Sequence, residues 1–547
     1  MKHQKLTAGL LVLSLLCTPM AGTVQEIAVL AAENRAASGS YGEHLTWDFD
    51  TVTGTLTVSG TGDMSKSESG YPWETVSQDT RTLVIGDGIT SIADNAFSFF
   101  SAMTSVSIPG SVRNIGETAF WHCDSLPSVS IPEGVTTIGD AAFWNCGSLT
   151  SITIPDSVTQ IGMDAFDDTP WLYQKMDENP LVIVNGFLID GRSCSGEVII
   201  PDGVTKINIH AFSTSQDLTA LVIPGSVTSI QDETFSDLEN LTHVVLMDGV
   251  TSIGNHAFFN CRNLTSIELP DSITAIGEYA FSDCRNLTSA ALPDRMTSIG
   301  KGAFANCTSL SSVCIPIGVT SIQEDTFFYC TSLTDINIPD TVTSIETCAF
   351  IYCYGLTSIL LPDSLTEIGS KAFFDCTHLD HITIPYRVAN IGETSFGACT
   401  GLTDITILNP DCMIYPSDTT IANLWNENTY YYYTGTLRGY DNSTAQRHAE
   451  RYGYTFASLG EAPIEETPAV GDVNGDKSVD ASDAADLLIV LANIGAGADS
   501  GLTEEQTAAA DADGSGVPDA GDAAVILQYA AFIGSGGMGT LTEFLNQ

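Results

Sequence analysis

Apolar residues return along this chain on a fixed ruler. Phe97, Phe120, Phe143 and Phe166 stand 23 residues apart, and after a gap of 46 the series resumes at Phe212 and runs to Phe396. An isoleucine precedes each phenylalanine by five residues, from Ile92 to Ile391. In the unit LTSITIPDSVTQIGMDAF, Leu149 to Phe166, apolar Leu149, Ile152 and Ile154 alternate with small polar residues, which predicts a short half-buried strand. Pro155 ends the strand because it has no N–H for a ladder. Val158, Ile161, Ala165 and Phe166 then return to the interior through a turn or short helix. One unit cannot bury this face alone, but stacked copies can, each strand pairing in parallel with the next. The expected fold class is an α/β repeat, a solenoid with a parallel sheet of 23-residue units.

The flanks read as caps, which a solenoid needs to cover its ends. HLTWDFDTVTGTLTVSGTGDM is two alternating runs around a Thr-Gly turn, and GYDNSTAQRHAERYGYTFASLG is a helix followed by a strand. The long gap before Phe212 contains LVIVNGFLID, a predicted hairpin with Asn185-Gly186 as its turn. Trp171 and Tyr173 read as exposed aromatics in this insertion. The units resemble the BspA-type leucine-rich repeat family over residues 81–408, with an irregular insertion at 167–200. Residues 32–80 and 409–460 are expected as the N- and C-terminal caps. The outward strand positions, such as Ser105, Ser128, Ser151 and Asp335, are small and polar, and name no target.

Nine cysteines follow a repeat phenylalanine by three residues: Cys123, Cys146, and Cys261 through Cys399 in seven consecutive units. Equivalent side chains of stacked units point the same way, which predicts a ladder of buried thiols rather than disulfides. The histidines form no zinc or nucleophile motif, and His378 and His381 read as surface residues. Nothing in the repeats argues for an active site. Lys plus Arg number 19 against 67 Asp plus Glu, a formal charge of −48. Such a surface excludes nucleic acid and anionic membrane as partners. A basic start and an apolar run from Ala8 to Leu16 read as a secretory signal, cleaved after Ala21 or near Ala31, and residues 1–31 are assigned to it. No later segment is apolar enough to span a membrane.

The last stretch changes character. EAPIEETPAV, residues 461–470, reads as an extended linker, and from Gly471 onward the chain has 13 acids and one base. DVNGDKSVDASD, Asp472 to Asp483, recurs thirty-nine residues later as DADGSGVPDAGD, Asp511 to Asp522. Calcium takes six to eight oxygens, and a twelve-residue loop supplies them at positions 1, 3, 5, 7, 9 and 12. These are Asp472, Asn474, Asp476, the Ser478 carbonyl, Asp480 and Asp483 in the first loop. In the second they are Asp511, Asp513, Ser515, the Val517 carbonyl, Asp519 and Asp522. Each loop runs into an apolar helix, DAADLLIVLAN or DAAVILQYAAF, and LTEEQTAAA between them reads as another helix.

Position 12 is Asp, not the Glu of an EF-hand, and no helix enters the first loop. Duplicated loop-plus-helix units of this kind resemble the type I dockerin, a small all-α module, here assigned to 471–536 with a tail at 537–547. The resemblance implies two Ca2+ ions that fold the module and a cohesin-bearing scaffold protein as its partner. It implies partner choice at Ala481, Ser482, Ala520 and Gly521, with further contacts from Leu488, Ile489, Leu527 and Gln528. The similarity of the two pairs allows binding in two orientations. The expected function is that of a secreted, non-catalytic protein of a polysaccharide-degrading complex. Its repeats would meet an unknown protein or cell-surface target. The alternatives are a polysaccharide hydrolase carried by the dockerin, or an adhesin or protease inhibitor displayed by it.

Overall fold

A computed structural model describes residues 38–65, 70–425, 431–463, 469–475, 478–495, 500–535, 537 and 539–545; the signal assignment at 1–31 and Asp476 lie outside these. The chain forms two compact units that divide between Gly460 and Glu461.

The first unit is a parallel solenoid. Paired strands keep the 23-residue register, with Ser128 opposite Ser151 before the insertion and Ser312 opposite Asp335 after it. On a second ladder Ile92, Ile115, Ile138 and Ile161 are consecutive partners. The segment around each phenylalanine is a turn rather than a helix. Residues two before and two after the phenylalanine adopt the left-handed conformation, as Asn95 (φ 60°) and Phe99 (φ 62°) do around Phe97. This alternation points successive N–H groups along the solenoid axis. Asn95, Phe97 and Phe99 donate to the carbonyls of Glu117, Ala119 and Trp121 at 2.8, 2.9 and 2.7 Å. The same triplet recurs at most junctions, so the buried amides are satisfied by the next unit.

Inside, the phenylalanine rings form a stack, with centroids 5.1 Å apart for Phe120–Phe143 and 5.9 Å for Phe304–Phe327. Trp73, on a short 3-10 turn at Pro72–Val76, starts it by lying 5.8 Å from Phe97. The cysteines are free and form the expected buried ladder. Each thiol donates to the phenylalanine carbonyl one unit back: Cys146 to Phe120 at 3.1 Å, Cys261 to Phe235 at 3.2 Å, Cys399 to Phe373 at 3.0 Å. Burial pushes the thiols of Cys261, Cys353 and Cys399 up to about 12.

The N-terminal cap is the expected hairpin, Leu45–Asp50 antiparallel to Thr55–Gly60, with an added strand at Ser38–Tyr41. Thr55–Gly60 then pairs in parallel with Thr82–Ile85 and starts the repeats. At the other end helix α2, Thr444–Tyr452, is capped by Ser443, whose hydroxyl accepts from the Gln446 N–H at 3.2 Å. His448 on this helix is buried against Tyr452 and Tyr454, and its Nε2 has no partner. Burial, aided by the Arg451 charge, pushes its imidazole down to about 4.

The insertion divides the core in two, one cluster running from Leu45 to Phe187 and the other from Leu188 to Tyr454. It contains the expected hairpin, Val182–Val184 with Phe187–Asp190, and a helix that the sequence pattern did not suggest, α1, Pro170–Glu178. Trp171 is not an exposed aromatic. It is 7% exposed and packs edge-on against Phe166 at 5.0 Å, closing the first ring stack, whereas Tyr173 is exposed. Arg192 ties the insertion to the repeat before it. Its Nη1 donates to Asp167 at 2.7 Å and its Nε to Asp190 at 2.6 Å. Burial pushes the Asp190 carboxyl above the usual range, against the pull of Arg192.

Three outcomes follow from this packing. In the native protein, a thiol reagent should react quickly at exposed Cys314 and slowly at half-buried Cys348, and with the remaining repeat thiols only on unfolding. A total in denaturant below the 13 cysteines from Cys123 to Cys412 would reveal bridges instead. Arg192→Met should cost about 3 kcal/mol or more by stranding buried Asp190, and Asp190→Asn in the same chain should recover part of it, read from urea midpoints. His448 binds its proton more weakly folded than unfolded. Its stabilisation is therefore complete above pH 6.5 and declines as pH falls toward about 4, by up to about 3 kcal/mol. His448→Gln should flatten that part of the urea-midpoint profile between pH 7.5 and 4.5.

Candidate metal centre

The second unit is built from two copies of one device. Helices α3, Ala481–Gly495, and α5, Ala520–Gly534, begin thirty-nine residues apart and follow the two acidic loops. They bury the same positions: Asp483 and Asp522, Ala484 and Ala523, Leu487 and Ile526. Between them lies α4, Glu504–Ala510, capped by Thr503 as LTEEQTAAA suggests. A fourth helix, α6, Leu541–Leu545, falls in the stretch read as a tail. Its Leu541 is 2% exposed within this unit's core, Phe544 meets Phe532 at 5.1 Å, and Tyr529 Oη donates to the Gly539 carbonyl at 2.7 Å. The spacing of Leu541, Phe544 and Leu545 was the available sign.

In the first loop Asp472 and Asp483 are buried. Asp483 Oδ1 accepts the N–H groups of Val473 (2.8 Å) and Asn474 (3.2 Å), and its Oδ2 accepts that of Asp480 (2.9 Å). Asp472 Oδ1 accepts the Gly475 N–H at 2.8 Å. Gly475 takes φ 77°, which a side chain would disfavour. Burial pushes the Asp483 carboxyl up, against the pull of its three N–H donors, and neighbouring Asp472 pushes the same way as burial. Asp480 turns to the helix, where its Oδ1 accepts both the N–H and the hydroxyl of Ser482 at 2.7 Å; these bonds, the N–H first, hold its carboxyl low. Asn474 and Ser478 are exposed.

The second loop repeats the scheme. Asp522 Oδ1 accepts from Asp513 N–H at 2.9 Å and its Oδ2 from Asp519 N–H at 2.7 Å. Asp511 Oδ2 accepts the Gly516 N–H at 2.8 Å, and Ser515 Oγ donates to the Val517 carbonyl at 3.3 Å. Asp519, like Asp480, caps its helix, accepting the Gly521 N–H at 2.5 Å. Carboxylate oxygens of Asp511, Asp513 and Asp522 lie within 4.8 Å of one another. Oxygens bound to one calcium ion at about 2.4 Å can stand no farther apart than about twice that. The cluster therefore fits one such ion, and its donors are all hard oxygens.

The positions expected to meet a partner are exposed. Ala481, Ser482, Ala520, Gly521 and Gln528 face solvent. Leu488, Ile489 and Leu527 are 46%, 58% and 45% exposed, unusual for aliphatic side chains on a helix. Elsewhere His381 pairs with Asp380 on the surface, as its strand position suggests. No helix among the described residues is long and apolar enough to cross a membrane.

The BspA type leucine rich repeat region matches residues 76–178, 205–334 and 320–417 in six copies, more than half of the chain. The dockerin type I domain matches residues 470–529. No curated protein matches the chain. Among solved structures, a leucine-rich repeat protein from Bacteroides ovatus ATCC 8483 is 27% identical, covering 67% of this chain and 94% of its own, with a TM-score of 0.39. One from Eubacterium ventriosum ATCC 27560 is 23% identical over 70% of this chain and 97% of its own, with a TM-score of 0.36. A leucine rich cell surface protein from Faecalibacterium prausnitzii A2-165 is 25% identical over 56% and 95%, with a TM-score of 0.29.

Proposed function

Since the chain belongs to the BspA-type leucine-rich repeat family and ends in a type I dockerin domain, we propose that it is a secreted, non-catalytic component of a polysaccharide-degrading complex. Calcium-loaded, the dockerin binds a cohesin of a scaffold protein, and the solenoid carries a surface for a protein or cell-surface target. The observation that carries this reading is the Asp511, Asp513 and Asp522 cluster at the head of an exposed aliphatic helix, with a sequence copy thirty-nine residues earlier.

Two ions are assigned. Asp472, Asn474, Asp476, the Ser478 carbonyl and Asp483 hold the first, with Asp480 acting through water. Asp511, Asp513, Ser515, the Val517 carbonyl and Asp522 hold the second, with Asp519 in the corresponding outer place. The second site is the weaker, because Ser515 brings no charge where Asp476 does. The ions offset the negative charge that the loop carboxylates gather, against which the first loop sets only Lys477 and the second no base. The matched residues are repeats and a dockerin, both non-catalytic modules, which favours this reading over a hydrolase cargo.

The test is a pull-down from the host's secreted and cell-wall fractions, with calcium or chelator. The baits are the full chain and its Asp483→Ala, Asp522→Ala variant. A scaffold protein should be captured only by the intact chain in calcium, and calorimetry should count two ions in the intact chain. Capture of the same proteins by both baits, regardless of calcium, would refute docking through these loops.

A further inference from the structure

The duplication gives the module two faces, and the positions expected to meet a partner differ between them at two pairs, Ser482 with Gly521 and Ile489 with Gln528. Ala481 and Ala520 are identical, and Leu488 and Leu527 match in both type and exposure, 46% and 45%. Ser482 faces Gly521 in this comparison, but its hydroxyl donates to Asp480 Oδ1 at 2.7 Å and accepts from Asn474 Nδ2 at 3.2 Å. The proton of that hydroxyl is committed within the loop, so neither loop pair offers a partner a free side-chain donor. The remaining pair is Ile489 against Gln528, both exposed. The exposed part of an isoleucine gains from being covered, whereas a covered glutamine amide must find new hydrogen-bond partners.

We propose that Ile489 and Gln528 select the docking orientation: the partner covers the α3 face, with Ile489 in the contact, in preference to the α5 face. This rests on the docking reading above. The partner surface is aliphatic at its centre and basic at its rim, since the chain from Gly471 onward carries 13 acids and one base. Two otherwise equal modes separated by one such side chain differ in affinity about tenfold, the ratio that 1.4 kcal/mol produces.

The probe is a single recombinant cohesin from the scaffold protein captured by the full chain. In calcium, Ile489→Gln should bind it about tenfold more weakly than the natural chain. Adding Gln528→Ile to that variant should restore the affinity, because the contact moves to the other face. Both positions are exposed, so calcium titration and circular dichroism confirm that each variant folds. Unchanged affinity in Ile489→Gln, or failure of Gln528→Ile to rescue it, overturns the orientation proposal while leaving docking intact. Absence of calcium-dependent binding by the natural chain removes both.

Discussion

Each solenoid unit depends on delivering three turn amides to the carbonyls of the next unit. Asn95, Phe97 and Phe99 do this only because the residues on either side of Phe97 alternate between left- and right-handed backbone. For side chains such as those of Thr118 and Phe99, that conformation costs about 1–2 kcal/mol each. The bonds to the neighbouring unit offset it, so the conformation belongs to the stack and not to the segment. The rigid 23-residue ruler follows, because an extra residue within one unit would move that unit's amides off the carbonyls of its neighbour. Small cysteines suit the next core position, since each can pack tightly while its thiol reaches the carbonyl behind Phe120 or Phe235.

Where the ruler breaks, other contacts take over. Between the repeat phenylalanines Phe166 and Phe212 the ring stack is broken: it ends on Trp171 and begins again at Phe212. Arg192 bridges Asp167 and Asp190, and Asn208 Nδ2 donates to the Gly162 carbonyl at 3.0 Å. Directional side-chain bonds thus replace part of a repetitive backbone pattern. Such a join can follow an insertion without disturbing the register on either side, but it holds charge in a half-buried place.

Periodicity made the repeat, its parallel pairing, the thiol ladder and both caps readable, because a signal repeated in every unit survives local noise. The left-handed turns were not readable. Their residues include Asn, Phe, Thr, His, Ala and Cys, with Gly only at Gly302, so the usual glycine mark is missing and the stack imposes the geometry. Trp171 was misread because it lies on a helix that only the break in the stack explains. His448 and α6 were missed for a similar reason: each acquires its burial by packing against a neighbouring element, Tyr454 beyond α2 in one case and Tyr529 of α5 in the other. In the loops, the oxygen pattern marked Asp511, Asp513 and Asp522 together, but not that Asp480 and Asp519 also cap the following helices.

Those caps connect metal, loop and helix. Asp522 closes its loop with one carboxylate oxygen on the Asp513 N–H and the other on the Asp519 N–H. A carboxylate has about four acceptor sites, so both oxygens keep capacity for an ion after closing the loop. The same residue can therefore fix the path of the loop and hold the metal, and Asp519, at the end of that path, sets the first turn of α5. An ion drawn to Asp522 would order the helix that carries Leu527. Asp483 stands in the same relation to Asp480, α3 and Leu488. On the proposed reading, binding to the exposed faces would then depend on calcium without the partner touching the ion, because the ion would hold the helices in the positions that the partner reads.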